Sequence, residues 1–134
     1  MDELLYLLEK VKLTHKVIMI YIHEAHADDV WPMGFGINSA KNLEEKWKNC
    51  DALMSKWPAL NKLIDQIFVD NMDNEFIHRS GCWPEGYFFA DKDGVAQWAG
   101  TNTAYLNSPE PQNHEGAHQY LDKVVKIDGK YSVS

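Results

Sequence analysis

Val17-Ile18-Met19-Ile20-Tyr21-Ile22 is the longest apolar run in the sequence, and it decides the fold class. The run has no polar alternation and is rich in β-branched residues, which is typical of a strand covered on both faces in a parallel sheet. Its six residues are far too few to span a bilayer, which takes about 20. The run therefore predicts a central β-strand.

Patterns on either side of this run predict a parallel βαβ unit. Upstream, leucines at helical spacing follow Asp2 and Glu3, which favour a helix N-terminus. Downstream, a second helix that Ser39 or Asn42 could cap ends at Pro58 and leads to a short strand, Ile67–Val69. Its apolar stripe, expected to face the core, consists of Leu43, Trp47, Cys50, Met54 and Trp57. This crossover is long enough to join two parallel strands.

The second half of the chain predicts a hairpin and a last helix. Tyr87–Ala90 and Val95–Trp98 flank Asp93-Gly94, a pair that supplies the positive φ of a tight turn. An amphipathic pattern from Asn113 to Lys126 predicts a helix, followed by a polar tail over residues 127–134. We therefore expect one α/β domain over residues 1–134, with flanking helices on a mixed sheet.

The order of elements is the thioredoxin pattern with its first catalytic strand absent. Helix, strand, helix, strand, loop, hairpin and helix follow one another along the chain. Trp83-Pro84, just before the hairpin, fits the pattern, in which a proline opens the strand beside the active site. A thioredoxin-like fold is thus the expected architecture.

Charge and cysteine content exclude several classes of partner. Thirteen basic and twenty acidic residues give a net charge of -7, which repels phosphate backbones and anionic lipid, so nucleic acid is not an expected partner. Two cysteines, Cys50 and Cys82, are too few for a disulfide-framed secreted scaffold. Met1 leads into Asp2 rather than into a basic signal-peptide region. We expect a cytoplasmic protein without a membrane segment.

A dense polar cluster, HEAHADD at residues 23–29, follows the apolar run. Open α/β sheets place their ligands at the C-terminal ends of parallel strands. In extended backbone Glu24 and His26 point the same way, and a carboxylate beside an imidazole can make it a proton donor or acceptor near neutral pH. A solvated loop entering a turn at Trp31-Pro32 explains the spacing equally well.

The segment YIHEAHADDVW, residues 21–31, resembles the Tyr-Ile-Glu-Glu-Ala-His, two-residue, Gly-Trp segment of the iodothyronine deiodinases. The resemblance covers most of residues 1–100. Residues 37–43 are similar to the segment ahead of the family's long helix, and residues 68–72, FVDNM, to its Val-Val-Asp-Thr-Met. Pro84-Glu85 and Tyr87 to Gly94 are similar to its Leu-Pro-Glu-Arg-Leu-Tyr strand and turn.

The resemblance implies a thioredoxin-like oxidoreductase that removes iodine reductively from a small aromatic substrate. The family uses selenocysteine, or cysteine in some relatives, and external thiols return the electrons; no other cofactor is expected. The likeness assigns Glu24, His26 and Trp31 to the substrate pocket, with His26 handling a proton. The sequence departs from the family at Ala40, where the family has a histidine, at Val30, where it has a glycine, and at Thr101-Asn102, where it has a basic residue.

By the same resemblance, the nucleophile and its strand precede Met1, so reductive dehalogenation requires an upstream cysteine or selenocysteine. The missing strand is expected to expose two apolar strand edges. Closure of the gap, a borrowed strand or a homodimer would cover them. The alternative function is a non-catalytic binding or dimerisation module.

Other residues suggest weaker chemistry. Cys82 lies two residues before Pro84 and is a candidate redox thiol, although a small residue packed in a turn is the commoner role. Trp31 and Trp83 flank the expected site and are candidates to stack on a flat ligand. His114 and His118 belong to an HExxH pattern, which predicts at most a weak metal site because no further histidine or glutamate follows as a third ligand.

Overall fold

A computed structural model describes residues 1–25, 27–30, 34, 36–83, 85–101, 114–127 and 130–133. The chain divides into two compact units, Met1–Pro84 and Glu85–Ser134. Helices and strands are mixed, as the sequence predicts for an α/β class. The described strands pair two by two into three two-stranded sheets, rather than in one mixed sheet. Among the described helices, none has the length and apolar content needed to cross a bilayer.

The first unit is built on the predicted parallel pair. Its elements are α1 (Asp2–Lys12), β1 (Ile18–Tyr21), α2 (Leu43–Lys56), α3 (Pro58–Leu63), β2 (Gln66–Val69) and α4 (Glu75–Ser80). Ile18 lies opposite Gln66 and Tyr21 opposite Val69, in parallel register. Two short helices, α3 and α4, are additions to the predicted order. Helix α3 starts at Pro58, whose missing N–H costs nothing in a first turn.

Strand β1 is less covered than the sequence predicts. Ile18 is 56 % exposed, and Tyr21 is the one buried residue of the strand. Within the described part of the chain, β2 is the one strand that pairs with β1. The expectation of a central strand covered on both faces is therefore wrong for these residues, because a two-stranded sheet leaves an edge and much of one face to solvent. Dimerisation through that edge stays a prediction.

Helix α2 buries a different face from the predicted one. Asn42 caps it as expected, with its Oδ1 accepting a hydrogen bond from the Glu45 N–H at 2.9 Å. Trp47 and Trp57, which were predicted to lie in the core, are 41 % and 36 % exposed. Leu43, the first residue of the predicted stripe, is 45 % exposed. The buried positions are Lys46, Cys50 and Met54, one turn apart on a neighbouring stripe. The core prediction thus holds for Cys50 and Met54 alone.

The second unit contains a hairpin, a helix and a second hairpin. Its elements are β3 (Gly86–Ala90), β4 (Ala96–Thr101), α5 (His114–Asp122), β5 (Val124–Ile127) and β6 (Lys130–Val133). The predicted first hairpin is confirmed, with Gly94 at φ 79° in the turn. Asp91 Oδ1 accepts hydrogen bonds from the N–H groups of Asp93 and Val95, both at 2.9 Å. Phe89 stacks on Tyr120 of α5, with ring centroids 4.8 Å apart.

The C-terminal segment differs from the prediction. The last helix ends at Asp122 rather than at Lys126. Strand β5 therefore forms mostly where helix was predicted, and β6, which pairs with β5 antiparallel, forms where a polar tail was expected. The physical reason lies in the sequence: β-branched Val124, Val125 and Ile127 favour a strand over a helix. Asp128-Gly129 is the same turn-forming pair that marks the first hairpin.

Leu7 gives a direct test of the core of the first unit. Its side chain is 1 % exposed, on the face of α1 that also buries Val11, and α1 packs against α3. Leu7→Ala should lower the free energy of unfolding by about 2–5 kcal/mol, because it leaves a cavity. Leu13→Ala, at a residue that is 81 % exposed, should change it by less than about 0.5 kcal/mol. Urea denaturation measures both; equal effects would contradict this packing.

Asp65 should make stability depend on pH. Its carboxylate accepts from Lys12 Nζ at 2.6 Å and from the Val17 N–H at 2.7 Å, and these two bonds hold its pKa below the ordinary 3.8. The stabilisation is therefore complete above pH 3.8 and is lost as pH falls through the lower folded-state pKa. Asp65→Asn should lower the melting temperature at pH 7. The difference from wild type should shrink below pH 3.8; a constant difference would exclude the ionic contribution.

Candidate functional site

A polar cleft lies where β1 and β2 of the first unit end. Its volume is about 210 Å3. Four segments line it: the end of β1 with the chain that follows it, the turn after β2, one face of α2, and Ala40 in the chain ahead of α2. The lining residues are Tyr21, Ile22, His23, Glu24, Ala40, Lys46, Asn49, Met72 and Asn74. Because β1 and β2 are parallel, their C-terminal ends meet at one edge of the sheet, the usual location of ligand sites in α/β proteins.

Tyr21 and Glu24 form a hydrogen-bonded pair in this cleft. The Tyr21 hydroxyl donates to Glu24 Oε2 at 2.7 Å. Burial, followed by this bond to a carboxylate, raises the pKa of Tyr21, so the phenol stays protonated and remains a donor. The bond holds one carboxylate oxygen and fixes the direction of the side chain. Within the described residues Oε1 has no protein partner, so it can accept a further hydrogen bond.

Lys46 brings a buried positive charge to the same cleft. Its residue is 4 % exposed, although it lies on α2 among apolar neighbours. The ammonium donates one hydrogen bond, to the Asn71 carbonyl at 3.2 Å, and the described residues offer it no further acceptor. Burial lowers the pKa of Lys46, while the negative charge of Asp70 acts in the opposite direction. A buried ammonium with so few partners is unusual, because desolvation of an ion is costly.

The turn after β2 is held by its own carboxylate. Asp70 is buried, and its Oδ1 accepts from the N–H groups of Asn71 and Phe76 at 2.9 and 3.0 Å, which caps the start of α4. Oδ2 is buried and has no partner in the described part of the chain. Asn74 has a left-handed backbone with φ 54°, a conformation that asparagine tolerates better than most residues. The turn thus places Asn74 at the cleft.

The predicted site residues fall into two groups. Glu24 lies in the cleft, and Trp83 lies beside the same loop, with its Nε1 donating to the His23 carbonyl at 3.2 Å. The structure therefore brings Glu24 and Trp83 to one region of the first unit. His26, Trp31 and Pro84 lie outside the described residues, so their predicted roles stay predictions.

The segment that follows Glu24 is anchored by burial and by hydrogen bonds to the chain ahead of α2. Ala25 and Ala27 are buried. The Asp28 N–H donates to the Ile37 carbonyl at 2.7 Å, and Asp29 Oδ1 accepts from the Ser39 N–H at 2.8 Å. This latter bond is the main reason that the pKa of Asp29 is lowered. Burial and hydrogen bonds thus fix the described residues after β1, which do not form a freely solvated loop.

Both cysteines are buried, and burial disfavours a thiolate. Cys50 is buried on α2, and burial, with a smaller effect of Asp51, raises the pKa of its thiol to about 11. Cys82 is 4 % exposed and follows Gly81, the C-cap of α4. The carbonyl end of a helix disfavours a thiolate, whereas the N-terminal end favours one. The predicted redox role of Cys82 stays a prediction.

His114 and His118 lie one turn apart on α5 of the second unit. His114 Nε2 is 2.7 Å from the Tyr87 hydroxyl, and the two rings are 5.1 Å apart. Over the described residues, no three histidine, cysteine, aspartate or glutamate side chains are grouped as a metal site requires. The suggested metal site remains a two-histidine pattern, with one ring nitrogen engaged by Tyr87.

Comparison with protein-family models, with curated protein sequences and with solved structures found no match. The likeness to the deiodinases thus rests on the sequence motifs alone. Their placement in the structure is consistent with a site at the ends of β1 and β2 but does not identify a family.

Sequence reasoning missed the part of the site that α2 and β2 supply. Lys46 lies between two expected core positions and is buried by the turn of the helix. Asp70 follows the second parallel strand, so the rule that flagged residues 23–29 after the first strand would also have flagged it. Tyr21 was assigned to the strand core, yet its hydroxyl extends to Glu24.

The thiols provide a test of this site description. At pH 8 a thiol with a pKa of about 11 is about one part in a thousand thiolate, so Cys50 should react with Ellman's reagent at least about 100-fold more slowly than a free thiol. Cys82, being buried, should also react slowly, and urea should release both. Cys50→Ser and Cys82→Ser variants assign the two signals. Rapid reaction of Cys82 in the folded protein would restore it as a redox candidate.

Proposed function

We propose that this protein binds a small aromatic molecule in the cleft at the ends of β1 and β2. The supporting observation is the Tyr21–Glu24 pair. Glu24, which the deiodinase resemblance assigns to a substrate pocket, lies in the cleft with one oxygen held by Tyr21 and the other unpartnered among the described residues. A phenol hydroxyl is a suitable donor to that oxygen. Trp83, at the carbonyl of His23, adds aromatic surface near the same loop.

The chemistry that goes with this binding is proposed to be that of a thioredoxin-like, deiodinase-related oxidoreductase. In reductive removal of iodine, a thiolate or selenolate takes the iodine from the ring carbon, which gains a proton. Two external thiols then release the iodine as iodide and become a disulfide, which supplies the two electrons. Both Cys50 and Cys82 are buried, which disfavours either of them as the nucleophile. Catalysis therefore depends on a cysteine or selenocysteine from a longer chain, and His26 remains the proposed proton donor.

Burial of both cysteines also favours a second candidate, a binding module without catalysis. The cleft, with its oriented carboxylate and buried ammonium, is equally suited to hold a ligand without reaction. The two candidates share the cleft and differ in the need for a nucleophile.

Binding of 4-iodophenol, measured by isothermal titration calorimetry, tests the proposed site. Glu24→Gln keeps an acceptor for Tyr21 but removes the negative charge, and a bond to a charged acceptor is about twice as strong as one to a neutral acceptor. The affinity should fall by about fivefold. Glu44→Gln, on the exposed surface of α2, is the matched control and should retain wild-type affinity. Equal affinity of wild type and Glu24→Gln would remove Glu24 from the site.

Thiol-dependent release of iodide separates the two candidates. It is measured with iodinated phenols and tyrosines, on this chain and on a chain extended upstream by a strand that ends in cysteine. Release from the extended chain alone supports the oxidoreductase. Binding without release from either chain supports the binding module.

A further inference from the structure

We propose that Lys46 binds a carboxylate group of the ligand, so that the cleft is a site for a single-ring aromatic acid. The inference rests on the proposed function and specifies its ligand. Lys46 lines the cleft together with Glu24, yet it is 4 % exposed and donates a single hydrogen bond within the described residues. The ammonium therefore has two further N–H donors to offer to a ligand in the cleft.

The neighbouring carboxylate does not fill this position. Asp70 is close enough to act on Lys46 electrostatically, but no oxygen of Asp70 lies within 4.0 Å of the ammonium. Its Oδ1 is occupied by the backbone N–H groups of Asn71 and Phe76. The positive charge of Lys46 is thus balanced at a distance and not by direct contact, and a ligand carboxylate would supply the missing contact.

The carboxylates near Lys46 determine which second group the ligand needs beside its own carboxylate. Glu24 and Asp70 repel an anion, and the net charge of the chain is -7. At physiological salt the distant charges are screened beyond about 8 Å, whereas contacts inside the cleft are not. A ligand whose carboxylate contacts Lys46 and whose hydroxyl donates to Glu24 satisfies both sides. The cleft then discriminates against a simple anion that lacks a donor.

The size of the cleft suits a ligand of one ring. Its volume of about 210 Å3 is below the roughly 300–1,000 Å3 of sites that hold drug-sized molecules. Asn49 and Asn74 line the same space, and the Asn49 amide already donates to the Asn38 carbonyl at 2.9 Å. A phenol ring with a short acid side arm is a ligand of this size.

Two ligands that differ in one group test the proposal on the wild-type protein. These are 3-(4-hydroxyphenyl)propionate and 4-ethylphenol, which share the phenol and differ in the carboxylate. A hydrogen bond to a charged group should make the acid bind at least about tenfold more tightly in calorimetry. Equal affinities would overturn the assignment to a carboxylate while leaving the phenol site intact. Absence of binding by both phenols would overturn the proposed function as well.

Variants of α2 assign the effect to Lys46. Lys46→Met keeps the length and apolar stem of the side chain, and it should reduce the affinity for the acid to that for 4-ethylphenol. Lys48→Met, at an exposed lysine that pairs with Glu44, removes the same charge from the same helix and should keep the tenfold advantage. Equal losses in the two variants would show a general charge effect and would overturn the role of Lys46. The wild-type comparison decides the proposal even where Lys46→Met does not fold.

Discussion

The parallel pairing of β1 and β2 is the constraint on which the site depends. Its last hydrogen bond joins the Asp70 N–H to the Tyr21 carbonyl at 2.8 Å, directly after both strands end. That bond places the chain that follows β1 beside the turn that follows β2. One register step would move every side chain of a strand to the opposite face. Glu24 would then no longer share a cleft with Asn74, so the cleft is a product of register as much as of residue type.

Helix α2 converts this backbone arrangement into a chemical site. It covers the pair from one side with the stripe Lys46, Cys50 and Met54, of which two members are apolar or weakly polar and one is charged. The aliphatic stem of a lysine packs as well as methionine does, while its ammonium needs polar partners. Lys46 reaches them at the Asn71 carbonyl, in the turn that Asp70 organises. The packing that buries this face of α2 therefore also places the charge of Lys46 at the cleft.

Local patterns predicted the elements well, and tertiary contacts decided what failed. The parallel pair, the Asn42 cap and the Asp93-Gly94 turn follow from a few adjacent residues, and the structure confirms them. The buried stripe of α2 could not be read in the same way, because apolar residues at Trp47 and Trp57 compete with Lys46 for a face that is chosen by the packing of the helix. Glu24 was predictable from its position after a strand. The contribution of Lys46 was not, because the sequence separates it from β1 by more than twenty residues.

The two opposite charges at the cleft argue for a ligand that carries both an anionic group and a hydrogen-bond donor, rather than for a single ion. A buried ammonium alone would attract any small anion, and an oriented carboxylate alone would attract any donor or cation. The cleft contains both, with Lys46 on α2 and Glu24 on the loop after β1, and each is held through a bond to the fold: the Asn71 carbonyl for one, the Tyr21 hydroxyl for the other. Groups held in this way lose little conformational entropy on binding. A ligand that contacts both groups would make two such bonds, whereas a ligand with one polar end would make one.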